Sequence, residues 1–82
     1  MELHIASIVV TTSSHHLARL ETELNQLANV EVHASNGQDR LVITVECESE
    51  RLLADIFARI ESMPGVIAAS VAFHGIENME SV

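Results

Sequence analysis

The chain has 82 residues, of which twelve are acidic, four are arginine and none is lysine, so its formal charge at pH 7 is −8. This length is enough for one small domain with one core. Nucleic acids and anionic membranes bind clusters of Lys and Arg, so this charge disfavours both as partners. A cationic partner would be attracted.

The sequence shows neither a transmembrane segment nor a secretory signal. No apolar run approaches the roughly 20 residues that span a bilayer. The first residues lack the basic start and the cleavage site of a secretory signal. Cys47 is the single cysteine, which excludes an internal disulfide and fits a reducing compartment. We therefore expect a cytoplasmic protein without membrane insertion, and we expect Cys47 in the core.

The first half of the chain is predicted to form a strand, a helix and a second strand. Residues 3–11 are rich in Leu, Ile and Val, which favours a strand. Ser13 lies in a Thr-Ser run that can cap a helix, and apolar residues then recur every three or four positions. That stripe consists of Leu17, Leu20, Leu24 and Leu27. The helix should end at Ala28-Asn29, and 30–35 alternates as a strand.

The second half repeats this pattern after thirty-six residues. Asn36-Gly37 favours a hairpin turn, because both residues tolerate a positive φ. The third strand is predicted over 41–47, and Ser49 should cap a helix whose apolar stripe ends at Met63. Pro64-Gly65 ends that helix, and 66–73 is the fourth strand. We expect one domain over 1–75 and a flexible acidic tail over 76–82.

The order strand-helix-strand-strand-helix-strand predicts an α+β, ferredoxin-like split βαβ fold. Right-handed crossovers place both helices on one face of a four-stranded antiparallel sheet. The expected strand order is fourth, first, third, second. The other face of the sheet is then left open.

The alternation of side chains predicts which residues line that open face. In the third strand Leu41, Ile43 and Val45 should face the helices. The repeat then places Ile5, Ser7 and Val9 inward in the first strand. A buried Ser7 would need a hydrogen-bonding partner, so the opposite orientation of that strand remains open. In the fourth strand Ile67, Ala69, Val71 and Phe73 are expected inward, although Val66 is out of phase with them and implies a bulge just after Gly65-Val66.

The predicted open face is a floor of small and aliphatic side chains beside carboxylates. It suits a helix or an extended peptide with an apolar flank and cationic groups, which Glu46 and Glu31 could bind. An ordinary half-exposed sheet, or a homodimer that stacks two such faces, remains an alternative. The candidate binding residues are Ala6, Ile8, Val10, Glu31, His33, Val42, Thr44, Glu46, Ala68, Ser70, Ala72 and His74.

No set of residues predicts catalysis, a metal site or a cofactor. His15 and His16 are adjacent, so they cannot chelate as a pair one helical turn apart would. His4 and His74 could approach each other, because the first and fourth strands run antiparallel, but no third ligand lies at a suitable spacing. The chain has two phenylalanines and no Trp or Tyr, which leaves no stacking platform for RNA. We expect a binding protein and not an enzyme.

Four segments resemble the strands of the NapD family. These are His4–Val10, Val30–Ala34, Leu41–Glu46, and Pro64-Gly65-Val66 followed by Ala69–His74. The resemblance covers almost the whole chain, and it departs at Phe73, where the family often has Tyr.

This resemblance implies a cytoplasmic chaperone of the periplasmic nitrate reductase. Such a chaperone binds the twin-arginine signal peptide of the catalytic subunit precursor, NapA, delays its export and assists loading of its molybdenum cofactor. It would be a monomer without a cofactor of its own. Two alternatives remain, namely a dimeric, ACT-like module that senses a small amino acid, and a structural subunit of a larger complex.

Overall fold

A computed structural model describes residues 2–78 of the chain. Its elements are β1 (Glu2–Thr11), α1 (Leu17–Gln26), β2 (Val30–Ser35), β3 (Arg40–Cys47), α2 (Glu50–Glu61) and β4 (Ala68–Asn78). The strands form one antiparallel sheet in the order β2-β3-β1-β4. The predicted ferredoxin-like α+β fold and strand order are confirmed.

Both helices pack on one face of this sheet and enclose the core. The apolar stripes of α1 and α2 supply Leu17, Leu20, Leu24, Leu53 and Ile60 to it. Burying one such side chain stabilises the fold by roughly 1.5–3 kcal/mol relative to leaving it exposed. The core residues contributed by the strands are Ala6, Ile8, Val10, Val30, Leu41, Ile43, Val45 and Cys47. The predicted burial of Cys47 is confirmed, and its thiol donates to the carbonyl oxygen of Ser49 at 3.3 Å.

The orientation expected for β1 is wrong. Ile8 lies opposite Ile43 and is fully buried, and Ala6 and Val10 are buried on the same face. Directly opposed residues of a ladder share a face, so the even-numbered residues of β1 belong with the odd-numbered residues of β3. The equivalent core positions of β1 and β3 are therefore thirty-five residues apart, whereas Leu17–Leu53 and Leu24–Ile60 of the helices are thirty-six apart. Ser7 faces away from the helices and needs no buried partner.

A bulge in β4 exchanges its two faces halfway along the strand. Ser7 lies opposite Phe73 and Ile8 lies opposite Val71, which leaves Ala72 as the extra residue. A bulge shifts the alternation by one position. Ala69 and Val71 therefore face the helices as predicted, but Phe73 lies on the other face and His74 on the helix side, opposite Ala6. The predictions for Phe73 and His74 are wrong for this reason.

The start of β4 also departs from the sequence pattern. Val66 packs against the core, but Ile67 is exposed and precedes the strand, which begins at Ala68. The backbone amide of Ile67 donates to Thr11 at 2.8 Å and aligns the segment with the end of β1. The expected inward orientation of Ile67 is therefore wrong, and the irregularity in the ladder lies at Ala72.

The two serines predicted as helix caps behave differently. Ser49 is the N-cap of α2, and its hydroxyl accepts from the backbone amide of Leu52 at 3.0 Å. Ser13 does not cap α1, because its hydroxyl lies 2.9 Å from Nδ1 of His16 and the helix begins only at Leu17. His15 and His16 are exposed, as predicted, but they lie in the turn before the helix.

The predicted hairpin between β2 and β3 is confirmed, with a four-residue loop. Gly37 has the positive φ expected of it, at 75°. Asn36 contributes through its side chain, since its Oδ1 accepts from the backbone amides of Gln38, Asp39 and Arg40 at 2.9, 2.9 and 3.0 Å. This Asx-type bonding closes the loop.

The final strand is longer than the sequence pattern indicates. Ile76, Glu77 and Asn78 pair with His4, Leu3 and Glu2 of β1, so the flexible tail expected from residue 76 is wrong for these three residues. Residues 79–82 of that expected tail lie outside the described residues. No helix within residues 2–78 is long and apolar enough to cross a membrane.

Candidate functional site

The sheet face turned away from the helices is the candidate site, and we call it the open face. Its strand positions follow from the ladder registers and from the alternating burial of β1 and β3. It comprises Leu3, Ile5, Ser7, Val9, Thr11, Glu31, His33, Ala34, Arg40, Val42, Thr44, Glu46, Ala68, Ser70, Phe73 and Gly75.

Seven of the twelve predicted binding residues lie on this face. They are Glu31, His33, Val42, Thr44, Glu46, Ala68 and Ser70. Ala6, Ile8, Val10 and His74 face the helices instead, and Ala72 is the extra residue of the bulge. The sequence reasoning missed the other residues of the face, among them Ile5, Ser7, Val9 and Phe73. The expected orientation would have buried the Ser7 hydroxyl, and the cost of that burial was the signal that favoured the opposite orientation of β1.

The β1–β4 side of the open face is apolar. Phe73 is 59% exposed, which is unusual for a large aromatic side chain. Its ring covers Gly75, where an added Cβ would lie 2.9 Å from the ring carbons. Ser7 faces Phe73 across the ladder, and Val9 faces Ser70. The result is one projecting ring above a shallow floor of small and aliphatic groups.

The β2–β3 side of the open face is polar and acidic. Nε2 of His33 lies 2.6 Å from the Thr44 hydroxyl and 3.8 Å from a carboxylate oxygen of Glu31. Glu31 lies opposite Thr44, and Glu46 follows two residues later on the same face of β3. Glu31, Thr44 and Glu46 line one cleft of about 250 Å³. A cation bound in this cleft would meet two carboxylates.

Arg40 is the one arginine on the open face, and the other three lie on α1 and α2 within the described part of the chain. It lies opposite Thr11 at the hairpin end of the sheet. Arg40 lines a separate shallow groove with Val9 and Val42, whereas the Glu31–Glu46 cleft contains no arginine. The positive charge is therefore at one margin of the face and the two carboxylates are at another.

These two sides make the open face amphipathic. Three strand spacings of about 4.8 Å separate β2 from β4, or about 14 Å in all. A helix crosses that distance in about ten residues. The face can therefore bind a short segment whose cationic groups lie over β2–β3 and whose apolar side chains lie over β1–β4.

The histidine pair predicted from strand direction is present on the other face of the sheet. Nδ1 of His4 lies 3.5 Å from Nε2 of His74, and the two ring centroids are 5.7 Å apart. Among residues 2–78, no group of three His, Cys, Asp or Glu side chains could hold a metal ion.

Comparison with solved structures agrees with this architecture. The solution structure of the Escherichia coli Tat proofreading chaperone protein NapD matches with a TM-score of 0.82 and 26% identity, over 96% of this chain and 84% of that one. A transcriptional regulatory protein of the AsnC family from Pyrococcus furiosus matches with a TM-score of 0.74 and 21% identity, over 87% of this chain and 48% of that one. The second likeness concerns the fold alone.

Comparison of the sequence gives a more specific result. No curated protein sequence matches the chain significantly. The model of the NapD protein family, however, matches residues 3–78, which include every strand and helix from β1 to β4 except the first residue of β1. The chain therefore belongs to the NapD family.

Proposed function

We propose that this protein is a Tat proofreading chaperone that binds a twin-arginine signal peptide on its open face. The observation that carries the proposal is the uncovered, amphipathic sheet surface, with Glu31 and Glu46 on one side and Phe73 on the other. A twin-arginine leader has the matching chemistry, because paired guanidinium groups precede a moderately apolar segment. Membership of the NapD family and the likeness to the E. coli chaperone support the assignment.

We infer the direction of the bound peptide from the polarity of the face. The arginines should bind in the cleft between Glu31 and Glu46, where each guanidinium can meet a carboxylate. The apolar segment that follows should cross β3 and β1 towards Phe73. Ser7, which lies between Thr44 and Phe73, would lie beneath it, with Val42, Val9 and Ser70 in the neighbouring row of the sheet. The N-terminal side of the bound peptide would therefore lie over β2–β3.

The family resemblance supports a more detailed assignment. The client would be the NapA precursor of the periplasmic nitrate reductase, held back from export while its molybdenum cofactor is loaded. The chaperone would act in the cytoplasm, as a monomer and without catalysis or a cofactor of its own. Sedimentation tests the monomer, and a dimer that binds a small amino acid rather than a peptide would contradict it.

The expected affinity follows from the size of the face. Burying roughly 400 Å² of apolar surface gains about 10 kcal/mol. Ordering the peptide and losing its free translation oppose this by several kcal/mol. Each charge-assisted bond to an arginine adds roughly 1.5–3 kcal/mol where solvent is partly excluded. The net corresponds to a sub-micromolar complex.

The decisive comparison is between a twin-arginine peptide and its twin-lysine variant in titration calorimetry. Lysine keeps the charge but loses the planar fork that binds carboxylates through two hydrogen bonds. We expect clearly weaker binding of the twin-lysine peptide and weaker binding still of a twin-glutamine peptide. Equal affinity for all three peptides would contradict recognition of the arginine pair.

A further inference from the structure

The outer edge of β4 is a long strand edge without a partner among residues 2–78. From Ala68 to Ile76 it has no Asp, Glu, Lys or Arg. The opposite edge strand, β2, has six residues and includes Glu31. Proteins usually protect exposed edges with charges or with short strands, because free amides and carbonyls pair with other chains. Apart from the bulge at Ala72 and the charge of Glu77 near its end, β4 lacks these protections.

Exposed apolar side chains are concentrated along this same edge. Val71 is 52% exposed on the helix side, Phe73 is 59% exposed on the open face, and Ile76 is 59% exposed near the end of the strand. A polypeptide added beside β4 would cover apolar side chains on both faces of the sheet at once. That is the geometry of β-strand addition, in which main-chain bonds supply affinity and side-chain pockets supply specificity.

A groove on the helix side of β4 provides such a pocket. It has a volume of about 290 Å³ and lies between β4 and α2. On the sheet side Ala6 and Ile8 of β1 and Val71 and His74 of β4 line it. On the helix side its apolar lining residues are Leu53, Ala54, Phe57 and Ala58 of α2. The groove lies on the face opposite the Glu31–Glu46 cleft, so it is separate from the surface proposed for the signal peptide.

The charges that line the groove indicate the chemistry of its occupant. Glu50 and Glu61 lie at the two ends of the wall formed by α2, and no Lys or Arg lines the groove within the described residues. A second copy of the chain would bring a further charge of −8 and the same glutamates. A segment with cations at its ends and small apolar side chains between them complements the groove.

We propose that β4 and this groove bind an extended segment of a partner polypeptide through β-strand addition. The Cα atoms of Glu50 and Glu61 are about 16 Å apart along α2, at about 1.5 Å per residue. An extended chain covers that distance in about five residues. The occupant should therefore have two Lys or Arg residues about four to six positions apart, with β-branched residues between them on the same face. This inference does not depend on the proposed function.

The test is an NMR titration of the 82-residue chain with the capped peptide Arg-Thr-Val-Thr-Val-Thr-Arg. We expect shifts and slowed hydrogen exchange in the amides of β4 and shifts in α2 around Ala58. A peptide with glutamates in place of both arginines should bind about tenfold more weakly. Methylating the amides on one edge of the peptide should abolish binding, whereas methylating those on the other edge should not.

Matched variants of the protein locate the site. Ala58→Arg fills the groove and should abolish the β4 shifts, and Ala18→Arg on the exposed side of α1 should leave them unchanged. Circular dichroism checks that both variants fold. Shifts confined to the open face, equal effects of the two methylated peptides, or no binding at saturating peptide would overturn the proposal. In the absence of peptide, slower hydrogen exchange of the β4 amides at higher protein concentration, together with a dimer in sedimentation, would also overturn the proposal.

Discussion

Ser7 and Phe73 lie opposite each other on the open face, one ladder position from the point where Ala72 is inserted into β4. In a regular ladder Ala72 would lie opposite Ser7 and Phe73 opposite the buried Ala6, so the Phe73 ring would point towards the helices, as Val71 does. The bulge thus places the largest side chain of the fourth strand on the surface that we propose for peptide binding. One side of the ring also packs over Gly75, which has no side chain to displace it.

Phe73→Ala should weaken binding of a twin-arginine peptide by about tenfold, since exposed aromatic residues often dominate an interface. Titration calorimetry measures the change. Leu52→Ala is the matched control, because Leu52 is 41% exposed on α2, away from the open face. An equal loss of affinity in both variants would contradict a role for Phe73 in the interface.

Glu46→Gln should also weaken binding, by about tenfold, because it removes the charge and keeps the shape of the side chain. The Glu46→Gln, Glu31→Gln double variant should lose the preference for arginine over lysine. Asp55→Asn on the exposed surface of α2 makes the same change in net charge and serves as the control. If Asp55→Asn had as large an effect, net charge would explain the binding and a defined cleft would not.

Ile8→Ala should lower the free energy of unfolding by about 2–5 kcal/mol, because Ile8 is fully buried opposite Ile43. Val9→Ala should lower it by less than about 1 kcal/mol, since Val9 lies on the open face. Urea denaturation measures both. A larger loss of unfolding free energy for Val9→Ala than for Ile8→Ala would contradict this orientation of β1 and favour the one in which Val9 faces the helices.

Ser49→Ala should destabilise the protein by about 1 kcal/mol, because the Ser49 hydroxyl caps α2 through the Leu52 amide. Ser13→Ala should change stability little, since the Ser13 hydroxyl contacts the His16 ring and not a backbone amide at the start of α1. Thermal unfolding of the two variants under one condition makes the comparison. Equal destabilisation would contradict the difference between the two helix starts.

The fold could be predicted from the sequence because each helix has a single apolar stripe and each break has a physical cause. Leu17, Leu20 and Leu24 define one face of α1, and Pro64-Gly65 can only end α2. In β3 the buried Leu41 and Ile43 alternate with Val42 and the polar Thr44, so its orientation is unambiguous. Those signals suffice for the element order and for the strand order.

The site could be predicted only where a strand has one polar side. Both sides of β1 are apolar or small, as Ile5 and Val9 against Ile8 and Val10 illustrate, so its own pattern cannot distinguish them. The internal repeat then predicted the wrong orientation for β1, because the core positions of β1 and β3 repeat with a different spacing from those of the two helices. The bulge at Ala72 has no marker in the sequence, and it reversed the predictions for Phe73 and His74.

The most direct test of the proposed function is methyl NMR of the protein during titration with a twin-arginine signal peptide. The methyl groups of Val9 and Val42 lie on the open face, and those of Leu52 lie on α2. We predict saturable shifts of the Val9 and Val42 methyls at sub-micromolar affinity, with the Leu52 methyls unchanged. Saturable shifts at Leu52 with Val9 and Val42 unchanged would contradict binding on the open face.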